Sequence, residues 1–100
     1  MENFMIPENR IPTHPGEILL EEFLLPLEIT QAKLAKHIGV SAQSINDLTR
    51  GKRSVTPETA WRLAQAFGTT PEFWINLQTT YDLVVHQPKK HIPRLQRAFA

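Results

Sequence analysis

Residues Gln31 to Leu48 read QAKLAKHIGVSAQSINDL, and the order of residue types in this stretch decides the fold. Leu34 and Ile38 lie four apart and form one apolar helical face. Ala35 is small where a second helix must come close. Gly39 is free to take the left-handed backbone conformation that ends a helix in a tight turn. Val40 is an apolar plug, and Ser41 is a preferred N-cap for a new helix. Ile45 and Leu48, three apart, supply the inward face of that helix. Two short helices joined by so tight a turn form a helix-turn-helix, whose second helix is built to enter the DNA major groove. An ordinary pair of core helices would need neither the small Ala35 nor polar residues facing outward on the second helix. DNA binding is the function class this order implies.

The residues expected to touch DNA follow from that geometry. With Ser41 as cap, the first turn of the second helix enters the groove first. Ile45 and Leu48 point inward, so Ala42, Gln43 and Asn46 face the bases, with Ser44 to one side. Gln and Asn each pair bidentately with adenine, and Ala42 is suited to a thymine methyl. Gln31, just after the Thr30 cap, is placed to grip a phosphate, as are the N–H groups at both helix starts. Arg50, Lys52 and Arg53 would hold the adjacent backbone. Asp47 is expected to pair with a neighbouring base such as Arg50, three residues on, in preference to reading cytosine.

One hundred residues allow one compact domain with a modest core. The chain has no cysteine, so a disulfide framework and a thiolate metal site are both excluded, which suits a reducing cytoplasm. Ile18-Leu19-Leu20 and Phe23-Leu24-Leu25 are separated by Glu21-Glu22, so no membrane span is expected, and without a basic n-region followed by an h-region no signal peptide is expected either. Net charge is only +1, but its distribution is uneven. Up to Ile29 the acids Glu2, Glu8, Glu17, Glu21, Glu22 and Glu28 face the lone base Arg10. From Thr30 to Arg53 the bases Lys33, Lys36, Arg50, Lys52 and Arg53 face the lone acid Asp47. Such asymmetry is the footprint of a DNA face with a different face behind it.

Punctuation divides the rest into helices. Residues 1–12, with Pro7 and Pro12, read as an irregular arm. A first helix is expected from about Pro15 to Leu25, stopped by Pro26. Thr-Pro-Glu occurs at Thr56-Pro57-Glu58 and again at Thr70-Pro71-Glu72. In both, Thr is an N-cap, Pro fits the first helical position and Glu favours the positive end of the dipole. These start helices through Trp61, Leu63, Ala64 and Phe67, ended by Gly68, and through Phe73, Trp74, Leu77 and Tyr81. No alternating β pattern occurs, so the fold is all-α, with about five helices over residues 13–85 and a basic extension over 86–100. A single short recognition helix offers little contact, so a homodimer on a palindromic operator is expected, joined through the exposed part of the Phe73, Trp74, Leu77 and Tyr81 face.

Other chemistries find no support. His14, His37, His86 and His91 are scattered with no metal-binding spacing, so no metal or other cofactor is expected. Glu21 and Glu22 are sequence neighbours pointing about 100° apart on a helix and form no acid–base dyad. No phosphate loop or nucleophile elbow exists, so no enzyme is expected.

The run Pro12-Thr13-His14-Pro15-Gly16-Glu17-Ile18-Leu19, the helix-turn-helix, and the close Trp74-Ile75-Asn76-Leu77-Gln78 with Tyr81-Asp82-Leu83 together resemble the HigA antitoxin family. That family, also known as virulence-associated protein I, belongs to the Cro/CI-type or XRE group. The resemblance covers about residues 12 to 85. It implies a dimeric antitoxin that neutralises a HigB toxin, a ribosome-dependent messenger RNA endonuclease, and represses its own operon through double-stranded operator DNA. Gln31 and Gln43-Ser44 match positions that similar repressors use on operator DNA. Ala42 stands where phage repressors of this group often carry glutamine, so base preference does not carry over. The acidic first segment would suit the basic surface of an RNA-cutting toxin. A stand-alone regulator without a toxin is the alternative. A protein-interaction adaptor that has lost DNA binding is a third reading, against which the basic loop counts.

Overall fold

The computed structural model describes residues 11–96. Most of the expected arm, with Glu2, Glu8 and Arg10, lies outside these residues, as does Arg97. Among the described residues the chain is all-helical. The first helix, α1, runs over residues 15–27 as three consecutive stretches. These are α-helical Pro15–Ile18, π-helical Leu19–Leu24 and α-helical Leu25–Leu27. Then follow α2 (Gln31–Ile38), α3 (Ala42–Thr49), α4 (Pro57–Phe67) and α5 (Pro71–Val85). Thr30, Ser41, Thr56 and Thr70 each accept a hydrogen bond from the backbone N–H three residues on, as N-caps of α2 to α5. Each of the four caps expected from the sequence is in place.

α1 departs from the expected boundary. Pro26 does not stop it; the helix continues to Leu27. The physical reason lies in the wide turn just before. The Leu25 N–H bonds to the Leu20 carbonyl, five residues back, and this π geometry shifts the preceding carbonyls away from where a proline ring would strike them. The stop comes at Glu28, in the left-handed conformation with φ 58°. There the Glu28 N–H reaches the Leu25 carbonyl at 3.1 Å and the Ile29 N–H the Leu24 carbonyl at 2.9 Å. That pair of bonds is a Schellman turn, with Glu28 where glycine is usual.

The core is assembled from one face of every helix. Leu19, Leu24, Leu34, Ala35, Ile38, Ile45, Leu48, Ala60, Leu63, Ala64 and Trp74 are buried, with Val55 from the loop before α4. Each fully buried leucine or tryptophan contributes roughly 1.5–3 kcal/mol relative to exposure. Phe23 sits among the aromatics, its ring centroid 5.0 Å from Phe67 and 5.2 Å from Trp74. The Trp74 indole N–H donates to Thr69 Oγ1 at 2.8 Å, which settles the one polar atom that burial would otherwise strand. Trp74 is fully buried, so it is not available to a dimer surface, and Tyr81 is turned partly inward onto His14. The expected dimer face thus loses its central residue. The exposed indole is that of Trp61, 57% accessible on α4.

Candidate nucleic-acid interface

α2 and α3 are eight residues each and pack on one another, α2 through Leu34, Ala35 and Ile38 and α3 through Ile45 and Leu48. Between them Gly39 takes φ 80°, and the Gly39 and Val40 N–H groups both bond to the Ala35 carbonyl at 2.9 Å. A second device closes α2. Arg62 of α4 donates to the Ile38 carbonyl and is itself held by Glu58 at 2.7 Å. The sequence signal for it is the Glu58–Arg62 spacing of one helical turn, which by itself reads as an ordinary surface pair.

α3 is fixed from behind by α1 at a very short separation. A Cβ added at Gly16 would lie 1.7 Å from the Leu48 carbonyl oxygen, so only glycine lets α1 lie against the end of α3. His14 caps α1 there, its Nδ1 accepting from the Gly16 N–H at 2.9 Å, with its ring edge-on to Tyr81 at 4.8 Å. Burial holds the His14 imidazole below its ordinary pKa, against smaller upward pulls from Asp82 and Glu17. The basic loop is anchored through Val55, whose N–H donates to buried Gln78 Oε1 at 2.7 Å, while Gln78 Nε2 donates to Asp82 at 2.9 Å. Gly16 meets Leu48 on α3, the His14 ring meets Tyr81 on α5, and Gln78 holds Val55 in the loop before α4. These contacts join residues far apart in the chain, and no local pattern points to them.

The outer face carries the residues expected at DNA. Ala42 and Gln43 are exposed in the first turn of α3, and Arg50, Lys52 and Arg53 are exposed in the loop beyond it. Ser41 and Ser44 hydroxyls share a hydrogen bond at 2.8 Å. Gln31 and Asn46, expected as separate contacts, are joined: Asn46 Nδ2 donates to Gln31 Oε1 at 3.2 Å, and Gln31 Nε2 donates to Thr49 Oγ1 at 3.4 Å. Both are half-buried, and their bonds tie the start of α2 to the middle of α3. Asp47 does not pair with Arg50. It accepts from Gln43 Nε2 at 2.8 Å, because the side chain one turn earlier on the same face reaches it first. A carboxamide has two N–H donors and a carbonyl acceptor; one donor is taken by Asp47, which leaves an N–H and the oxygen for a partner. The remaining pair matches the N7 and N6 edge of adenine.

A family model described as helix-turn-helix matches residues 20–74. The chain is 43% identical over 84 residues to virulence-associated protein I of Dichelobacter nodosus, covering 83% of this chain and 78% of that protein. Antitoxin HigA-1 of Vibrio cholerae is 43% identical over 74 residues, covering 74% and 70% of the two chains. The chain belongs to the HigA antitoxin family, of the Cro/CI-type helix-turn-helix group. The solved structure of the Pseudomonas aeruginosa antitoxin HigA with higBA promoter superposes with a TM-score of 0.73 at 44% identity, covering 75% of this chain and 82% of that one. The matched region holds α2 to α4 and ends at the buried Trp74. Among the described residues, no helix is long and apolar enough to cross a membrane.

Proposed function

We propose that this chain is the antitoxin of a type II toxin–antitoxin pair, which neutralises a HigB-type messenger RNA endonuclease and represses its own operon by sequence-specific DNA binding. The observation that carries the reading is the exposed Ala42–Gln43 turn of α3, with the Gln43 carboxamide oriented by Asp47 and the motif buttressed from behind. The relatives named above support it. Residues 13–85 form the binding unit, between an N-terminal arm (1–12) and a basic extension (86–100).

In this reading Ala42, Gln43 and Asn46 meet base edges, Gln43 most directly because Asn46 is held by Gln31. Ser41, Ser44 and Gln31 lie at the two helix starts, where N–H groups and hydroxyls suit phosphate oxygens. Arg50, Lys52 and Arg53 neutralise the neighbouring strand. Two copies related by a two-fold axis would set their α3 helices about 34 Å apart, one turn of duplex. Glu17, Glu21, Glu22 and Glu28 are exposed on or just after α1, and an acidic face of this kind suits the basic surface an RNA-cutting toxin must carry. Two faces would let toxin and DNA be held together.

Co-expression with the product of the adjacent reading frame tests the reading. The chain should capture that protein, relieve its toxicity and bind the DNA upstream of the pair. Retention of DNA binding without capture of any neighbouring product would leave a stand-alone regulator. If Glu21→Lys with Glu22→Lys leaves toxin affinity and its salt dependence unchanged, the acidic face is not the docking surface.

A further inference from the structure

We propose that residues 86–96 form a basic arm that grips phosphates of the same duplex, beside the groove entered by α3; this rests on the DNA-binding reading above. Charge is the first reason. Of the eleven Lys and Arg, four lie beyond Val85, and all ten Asp and Glu lie before it. The seven remaining bases face ten acids, so the chain up to Val85 is net acidic and would repel phosphate at long range. The formal charge of +1 arises wholly in the extension.

Geometry is the second reason. Tyr81, four residues before the end of α5, lines a hollow together with His14, Thr49, Arg50 and Gly51. The extension therefore leaves the fold about one helical turn beyond Tyr81, which shares this hollow with Arg50 and Gly51 of the basic loop. Nothing draws it back. Every residue from His86 to Gln96 is exposed, and none is part of the core or packs against it. Pro88 and Pro93 keep the backbone out of helix and extended. The Cα radius of gyration is 17.0 Å, against about 13 Å for a packed chain of this length, as a projecting segment requires. The eight extended residues after His86, up to Arg94, reach about 26 Å, well beyond a major groove about 12 Å wide. Lys89, Lys90 and Arg94 are thus within range of the flanking backbone, where bases act on any sequence alike.

The test is a salt titration of the full chain and of the triple variant K89Q/K90Q/R94Q. The probes are a duplex carrying the DNA upstream of the gene and a random duplex of the same length. The arm predicts that the slope of log affinity against log salt becomes shallower by about 2.7 in the variant, at about 0.9 per phosphate contact, on both duplexes. K89R/K90R should keep the parent slope, and an unchanged circular dichroism spectrum should show the helices intact. Equal slopes for parent and triple variant overturn the proposal. Equal slopes with weaker self-association in sedimentation would instead assign the arm to the acidic α1 face of a second copy. If the parent chain binds neither duplex, the DNA-binding reading itself fails and the arm falls with it.

Discussion

α1 lies against the end of α3 at a seam formed at Gly16, yet α1 and the α2–α3 pair are specified in opposite ways. In α2–α3 every turn follows a local rule. Thr30 and Ser41 cap, Gly39 supplies the left-handed residue, and the apolar stripe faces inward. α1 breaks local rules at three places: a π turn at its centre, a proline inside it and Glu28 left-handed at its end. The difference teaches that the caps and turns of the motif presented to DNA come from its own residues, with Arg62 and Gly16 bracing it from outside, whereas α1 takes the shape its neighbours require.

The seam itself is where the contrast breaks most readily. Gly16→Ala drives a methyl into the Leu48 backbone, which no side-chain motion relieves, so a loss of about 3 kcal/mol is expected in urea unfolding. A loss within 0.5 kcal/mol would mean that α1 rides more loosely on α3. Ser41→Ala removes a cap that α3 owes to its own sequence and should cost about 1 kcal/mol, with the rest of the fold unchanged. Glu28→Gly should act in the other direction. A left-handed non-glycine residue costs about 1–2 kcal/mol, so even after the greater freedom of unfolded glycine a gain of about 0.5 kcal/mol in stability is expected.

How far the sequence is legible tracks this division. Four caps, the inward stripes and the exposed Ala42–Gln43 turn could be read because each depends on residues within one or two helical turns. The Pro26 boundary failed because a proline is tolerated only where the turn before it is widened, and nothing in the sequence near Leu20 announces a π turn. The burial of Trp74 and the exposure of Trp61 were not legible for a similar reason. Helical spacing alone does not say which of two tryptophans faces the Phe23 cluster. The Gln43–Asp47 and Gln31–Asn46 pairs depend on which side chain arrives first, a contest decided in three dimensions.

The smallest effect expected at the seam is one of pH. Folded His14 has a pKa depressed by burial, so the unfolded chain takes up a proton more readily. The contribution is present in full above the unfolded value of about 6.5 and is lost as pH falls through the folded one. Protonation also removes the Nδ1 acceptor from the Gly16 N–H. His14→Asn keeps a capping side chain that does not titrate, and should flatten stability against pH in this range. A slope that survives the substitution would place the titration elsewhere.

The central claim is that the first turn of α3 reads bases while the loop beyond it holds phosphates. Affinity of Gln43→Ala, measured in parallel on the upstream operator duplex and on random duplex at one salt concentration, addresses it most directly. Loss of one bidentate contact, about 1–3 kcal/mol, predicts a drop of about five- to 150-fold on the operator and little change on random DNA. An equal loss on both duplexes, or none on either, would contradict base reading by α3.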